Sequence, residues 1–347
     1  MEPVVIWELV LRGIAVGALI VTAAALWRAG SAIRIAGLLL TVTGAAYVLN
    51  SSAPIRDVLG VLDLPVHFFA LGGVGAFWLF IVTLFEDRPI SRLTLAPFAL
   101  LTALGLVGWL GRQEMSSPVW IIHNLIEACF SIHALFVIAH SWRGDLVEPR
   151  RRLRGPVLGI VTTYVLALSG FEIAEGMGLG QPWFPIAGSI ALAFICTLSA
   201  VAFVQAKPDL FGAAQPVTAP ESEGLDAGDR LLLSKLEALM AEGEAWRREG
   251  LTIGALATEI GAPEHKLRRL INDHLGFRNF AAFVNARRVD AAKARLADPE
   301  KARESVSTIA FDLGFGSLGP FNRAFKEVTG QTPTEWRRER LAETGNP

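Results

Sequence analysis

Two short runs in the last third of the chain hold the residue types that a polyanion would meet. His265, Lys266, Arg268 and Arg269 fall within five positions, and Asn322, Arg323 and Lys326 within another five. Their donors suit phosphate oxygens, and arginine and asparagine also pair bidentately with guanine and adenine edges. Leu318, just ahead of the second run, offers apolar contact with a thymine methyl. A third set lies in very different surroundings. His123, Glu127 and His133 fall inside one long apolar stretch, with His123 and Glu127 four apart and so on one helical face. Ionisable groups are costly in hydrocarbon and turn towards protein or water. These three are therefore candidates for a signal or ligand site, weighed against plain hydrogen bonding between helices. No metal-binding spacing of the HExxH kind accompanies them, and neither a metal nor a cofactor is expected.

The basic runs need a scaffold, and the buried residues around them supply one. Residues 305 to 338 read SVSTIAFDLGFGSLGPFNRAFKEVTGQTPTEWRR. Ile309, Ala310 and Leu313 form an apolar face, Gly314 can take positive φ after a helix, and Ser317 can cap the next one. Phe321 and Phe325, four apart, then bury one face and leave Asn322, Arg323 and Lys326 on others. Pro320 falls in the first turn, where its missing N–H has no partner to lose. Residues 252 to 276 repeat the plan: Ala257 permits close approach, Gly261 makes the turn, and Leu267 and Leu270 seat the basic helix. A long helix, roughly Asn279 to Leu296, joins the two lobes through Phe280, Phe283, Val284 and Val289 and ends at Asp298 and Pro299.

From about Leu251 to Arg338 the chain resembles the DNA-binding domain of the AraC/XylS family of bacterial regulators. The family pattern stands here as Ala310, Gly314 and Phe315, Ser317, Phe321, Arg323 to Lys326, Gly330, and Thr332 with Pro333. The resemblance implies that both second helices enter successive major-groove segments of double-stranded DNA, reading two half-sites about one turn apart. Carried over by position, the base-reading residues would be His265, Arg268 and Arg269, then Leu318, Gly319, Asn322 and Arg323. Lys266 and Lys326 would meet phosphates. Leu318, Gly319 and Pro320 stand where family members often have polar groups, so the downstream half-site is expected to be the less tightly specified. Charge alone argues little. From Leu251 onward 15 Lys and Arg face 12 Asp and Glu, a mild excess for a DNA binder.

The front of the chain belongs to another solvent. The sequence is 52% hydrophobic and lysine is absent before Lys207. Apolar runs able to cross ~30 Å of hydrocarbon lie near 4–27, 32–50, 64–85, 93–111, 118–140, 155–176 and 183–205. Seven spans put the two ends on opposite sides. Loops on one side hold Arg28, Arg34, Arg88, Arg92, Arg143, Arg150, Arg151, Arg152 and Arg154, with Lys207 following, whereas the other side has Arg56 and Arg112. That bias places the N-terminus outside and the C-terminal domain in the cytoplasm of a bacterial cell, anchored in the inner membrane. A cleaved leader is not expected, because no basic segment precedes the first span. Glu8 and Arg12 form an i, i+4 pair within that span, and Cys129 and Cys196 read as small buried residues.

The expected organisation is all-α: a seven-helix transmembrane bundle over 1–206, a flexible linker over 207–228, and a cytoplasmic tandem helix-turn-helix domain over 229–347. Pro208, Pro216 and Pro220 favour an extended linker. Arg230 to Arg248 reads as an amphipathic helix, with Leu232, Leu236, Leu239 and Met240 in a stripe and Trp246 as an anchor. It either packs on the domain or pairs with its counterpart in a homodimer. Two function classes follow. One is a membrane-embedded transcription regulator whose partners are double-stranded DNA, the lipid bilayer and an unknown small-molecule or membrane signal. The alternative is an integral-membrane enzyme or transporter with a regulatory DNA-binding tail. No nucleophile–histidine pair or phosphate-binding glycine loop appears, so no enzyme is expected.

Overall fold

Long, mainly apolar runs can satisfy every backbone group within themselves, and they do so as helices. The computed structural model describes residues 2–27, 29–110, 113–142, 144–147, 155, 159–179, 181, 183–205 and 226–344. Among these there is no strand, and the one β feature is an isolated antiparallel bridge between Asp145 and Asn279. The helices gather into two units. One takes the described residues up to 142 and from 155 to 205; the other takes 144–147 and 226–344. The second unit therefore includes four residues, Gly144 to Val147, that the expected boundaries assigned to the front of the chain.

The first unit contains α1 (Pro3–Leu26), α2 (Ser31–Asn50), α3 (Ala53–Leu59), α4 (Asp63–Leu71), α5 (Gly73–Phe85), α6 (Arg92–Leu110), α7 (Gln113–His140), α8 (Gly159–Gly176) and α9 (Phe184–Gln205). Helix α5 is apolar all round and buried from Val74 to Phe85, enclosed by α2, α6 and α7. Apolar side chains on the outer helices stay exposed instead, among them Trp7 and Ile20 on α1, Leu100 on α6 and Phe194 on α9. Buried charge is paired. Arg12 is 3% exposed, donates to Glu8 at 2.9 Å, and reaches the Val48 carbonyl at 2.5 Å and the Ser51 hydroxyl at 2.6 Å. The pair does more than neutralise itself, since it also satisfies acceptors at the end of α2.

Five helices, α1, α2, α6, α9 and the Pro118–His140 part of α7, are long and apolar enough to cross a membrane. A sixth candidate is broken: Ala53–Leu71 and α5 meet at 45°. Gly72 stands at that break because the Phe98 ring of α6 occupies the space a Cβ would need. The remaining expected span, 155–176, coincides with α8, whose 18 residues include Glu172 and Glu175 near its end. At 1.5 Å per residue such a helix reaches only about 27 Å.

The second unit contains α10 (Ala227–Ala241), α11 (Ile253–Ile260), α12 (Glu264–Arg269), α13 (Phe280–Ala297), α14 (Val306–Asp312), α15 (Leu318–Thr329) and α16 (Pro333–Thr344). Its core is continuous, running from Leu232 and Leu236 through Trp246, Leu256 and Leu267 to Phe283, Phe321 and Phe325. The amphipathic helix expected to reach Arg248 stops at Ala241. Gly243 and Glu244 follow, Glu244 at φ +43°, and a 3-10 turn over Ala245–Arg247 then buries Trp246. Its apolar stripe packs within this unit, against α11 and that turn. The helix begins at Ala227, capped by Asp226, slightly earlier than expected, and residues 207–225 of the expected linker lie outside the described residues.

Candidate nucleic-acid interface

The second helix of each turn unit is positioned by a short helix before it. Thr252 caps α11 by accepting from the Ala255 amide at 3.1 Å, and Gly261 ends it at φ +72°, a conformation that favours glycine. Helix α12 follows and seats Leu267 fully in the core. The second unit repeats these parts. Ser305 caps α14 through the Thr308 amide at 3.0 Å, Gly314 turns at φ +84°, and α15 buries Phe321, Ala324 and Phe325 on one face. A Cβ at Gly314 would run into the Arg247 carbonyl, so the turn is closed to other residues by space as well as by φ. Ser317 stands at the N-cap position of α15 but makes no capping bond, contrary to expectation.

The pattern of a family described as "Helix-turn-helix domain" matches residues 256–339. Residues 256–339 are an AraC-type helix-turn-helix domain. The domain is similar to uncharacterized HTH-type transcriptional regulators of Staphylococcus aureus, among them those of strains N315 and MW2, at 35% identity over 98 residues. That stretch is 28% of this chain and 13% of each relative, so the chain spans only a small part of the curated proteins it matches. No solved structure matches the chain.

Within the AraC-type domain the expected contact residues separate into two groups. His265, Lys266 and Arg269 on α12 are exposed, as are Asn322, Arg323 and Lys326 on α15; Leu318 is half-buried at the start of that helix and Gly319 is exposed beside it. Arg269 lies 3.4 Å from Asp229 of α10, an exposed and therefore weak pair. The Asp226 carboxyl at the same helix end is held below its usual range, first by the Asp229 amide and to a lesser extent by Lys266 and Arg269. On α15 Lys326 likewise lies near an acid, Glu335, whose carboxyl is held below its usual range, first by the Thr332 amide and to a lesser extent by Lys326.

Arg268 is placed differently from its neighbours. Sequence position put it among the base readers, but its side chain turns inward and the residue is 5% exposed. Its Nε donates to Glu264 at 2.9 Å, its Nη2 also meets Glu264, and its Nη1 donates to the Asp145 carbonyl at 2.6 Å. Helical spacing gives a residue's face, and an acceptor arriving from over a hundred residues earlier decides which way a long side chain bends.

Sequence reasoning also missed Arg288. It lies on α13, the joining helix, where it donates to the Trp246 carbonyl at 2.6 Å and the Arg248 carbonyl at 2.8 Å and stacks 5.1 Å from the Phe315 ring centre. Burial pushes its guanidinium below the usual arginine range. One buried cation thus ties the turn after α10 to the second helix-turn-helix. Arg295 of α13 does a similar task nearer the surface, holding Glu304 and Asp312. Neither has a local signature, because both serve acceptors distant in sequence.

The polar set of the first unit is only partly brought together. His123 and Glu127 are buried side by side on α7, Nδ1 to Oε1 4.0 Å, with Asn124 buried next to them. His123 Nε2 is buried without a hydrogen-bond partner among the described residues. His133 lies apart, exposed on α7, and accepts from the Trp78 indole at 3.0 Å. It belongs to a contact between α5 and α7, separate from His123 and Glu127. Among the described residues no group of acidic, histidine or cysteine side chains could hold a metal.

Proposed function

We propose that the protein is a membrane-embedded, sequence-specific DNA-binding transcription regulator that responds to a signal received in its apolar unit. The observation that carries the DNA-binding part is the pair of seated reading helices in the AraC-type domain. Each turns a row of exposed donors away from a common core: His265, Lys266 and Arg269 on α12, and Asn322, Arg323 and Lys326 on α15. Donors of these kinds bind phosphates and base edges. Leu318 is assigned to a thymine methyl. Selection of duplexes from a random pool by the full chain in lipid nanodiscs tests this reading; recovery of two motifs about one helical turn apart is the expected result, and no enrichment would refute it.

The membrane part rests on the candidate spans, on the exposed apolar side chains of α1, α6 and α9, and on arginine asymmetry. Helix α8 would be the seventh crossing. The bridge between Asp145 and Asn279 supports the same topology, because it needs the loop after α7 and the AraC-type domain in one compartment. Two further crossings, α8 and α9, return the chain to that side. A reporter fused after Arg152 should therefore be active only in the cytoplasm, and activity only outside would overturn the arrangement. His123 and Glu127 on α7 are our candidates for the signal site, with His133 a separate candidate on the same helix.

Lys266 and Lys326 are assigned to phosphates. Replacing either with Ala should weaken specific and random duplexes alike and lower the salt slope of log K by about 1. A loss confined to the selected sequence would reassign that lysine to a base.

A further inference from the structure

The segment Gly144 to Val147 follows α7 by a few residues, yet it is built into the second unit. It runs antiparallel to residues 278–280. Leu146 N–H donates to the Arg278 carbonyl at 3.1 Å, and the Phe280 amide donates to the Gly144 carbonyl at 2.8 Å. That amide is the first of α13, which has no acceptor within its own helix, so the segment supplies one. Leu146 enters the core of the unit, and Asp145 folds the segment by accepting from the Val147 amide at 3.0 Å. Between these anchors the Asp145 carbonyl takes Nη1 of Arg268.

The effect falls on one residue of the first reading helix. His265, Lys266 and Arg269 point to solvent, whereas Arg268 is held against Glu264 and the segment's carbonyl. Without that carbonyl Nη1 loses this acceptor while Nε and Nη2 keep Glu264, whose own side chain is largely exposed, so the guanidinium is left open on one edge to a nucleic-acid acceptor. Among the described residues the attachment is a single bridge with two backbone bonds and no extended ladder, with Leu146 in the core and Asp145 and Val147 buried beside it. A single bridge, unlike a ladder, is suited to reversible release. The chain reaching it is α7, which carries His123 and Glu127 and ends at His140, just before the segment.

We propose that Gly144–Val147 is a releasable strap that withholds Arg268 from DNA, and that a displacement of α7 frees it. The proposal rests on the DNA-binding reading above. When the strap is docked, the upstream half-site meets only His265, Lys266 and Arg269; when it leaves, Arg268 joins them and affinity and guanine preference rise there.

The facing residues Asp145 and Asn279 form a pair flanked by the two backbone bonds, the register in which opposite Cα atoms approach to about 4.5 Å and a disulfide can close. The test uses the full chain with D145C and N279C in a C129A/C196A background, in lipid nanodiscs, with a duplex enriched from a random pool by the reduced protein. Oxidation with copper-phenanthroline should cross-link most molecules and weaken binding about tenfold, with full recovery on reduction. Adding R268A should lower the reduced form to the oxidised level and make oxidation inconsequential. A release variant, L146R, should bind at least as tightly as the parent; if its folding suffers, the reversible cross-link still decides. Failure to cross-link overturns the strap. Cross-linking with unchanged affinity, or an oxidation effect that survives R268A, overturns its action on Arg268 while leaving DNA binding intact. No enriched duplex for any form overturns the DNA-binding reading, and the regulatory proposal with it.

Discussion

Phe321→Ala should collapse the second helix-turn-helix. The ring is 0% exposed and lies between Phe315 at 5.2 Å and Phe325 at 5.7 Å, ring centre to ring centre. Truncating such a residue removes its transfer free energy and leaves a cavity, about 3–5 kcal/mol together. A domain is stable by only ~5–15 kcal/mol, so this is a large share of the whole. Amide-exchange protection over residues 306–344 should fall steeply in the full chain, and specific DNA binding should be lost with it. Protection equal to that of the parent would show that the aromatic row is not what seats α15.

Arg323→Ala is expected to act on recognition and to leave the fold alone. The residue is exposed, and no hydrogen bond or ion pair engages it among the described residues. Loss of a base-reading arginine costs about 1–3 kcal/mol, or roughly 5- to 150-fold at the selected duplex, and relaxes preference at one position. Quantitative binding to the selected duplex and to its single-base variants checks this. An equal loss on random DNA would make Arg323 a phosphate contact instead. The comparison between half-sites is narrower than sequence position implies. Leu318, Gly319 and Pro320 offer the downstream side few donors, but the upstream side has Arg268 turned inward while the strap is docked.

Much of the interface was legible because it depends on neighbours three or four residues apart. The buried positions Ile309, Ala310, Leu313, Phe321 and Phe325, and the turns at Gly261 and Gly314, follow from helical periodicity and from the need for positive φ. The joining helix was placed to within a residue, from an expected Asn279 to Leu296 to an observed Phe280–Ala297 capped by Asn279. The amphipathic helix before the domain was read too long. A continuous apolar stripe through Trp246 is equally compatible with a helix and with a helix plus a turn, and the core decides between them. Ser317 differs for a related reason: residue type permits a cap, but the folded chain does not form one there.

In the apolar unit the same division holds. Hydropathy locates the segments that can cross a bilayer, since each must satisfy its backbone internally whatever surrounds it. The break at Gly72 depends on Phe98 from another helix. The pairing of His133 with Trp78, which separates it from His123 and Glu127, likewise depends on a neighbouring helix.

By itself, then, the sequence determined the all-helical character, the tandem turn units and the apolar faces of their helices, because these are set by local spacing and by the solvent each run prefers. Single residues escape it, as Cys129, read as buried, is exposed. Only the tertiary structure decided where the long cationic side chains end. Arg288 finds carbonyls of Trp246 and Arg248, and Arg268 finds that of Asp145, across 42, 40 and 123 residues of chain respectively. A guanidinium on a flexible stem takes whichever acceptor the folded chain brings within reach, and no periodicity encodes an acceptor that distant.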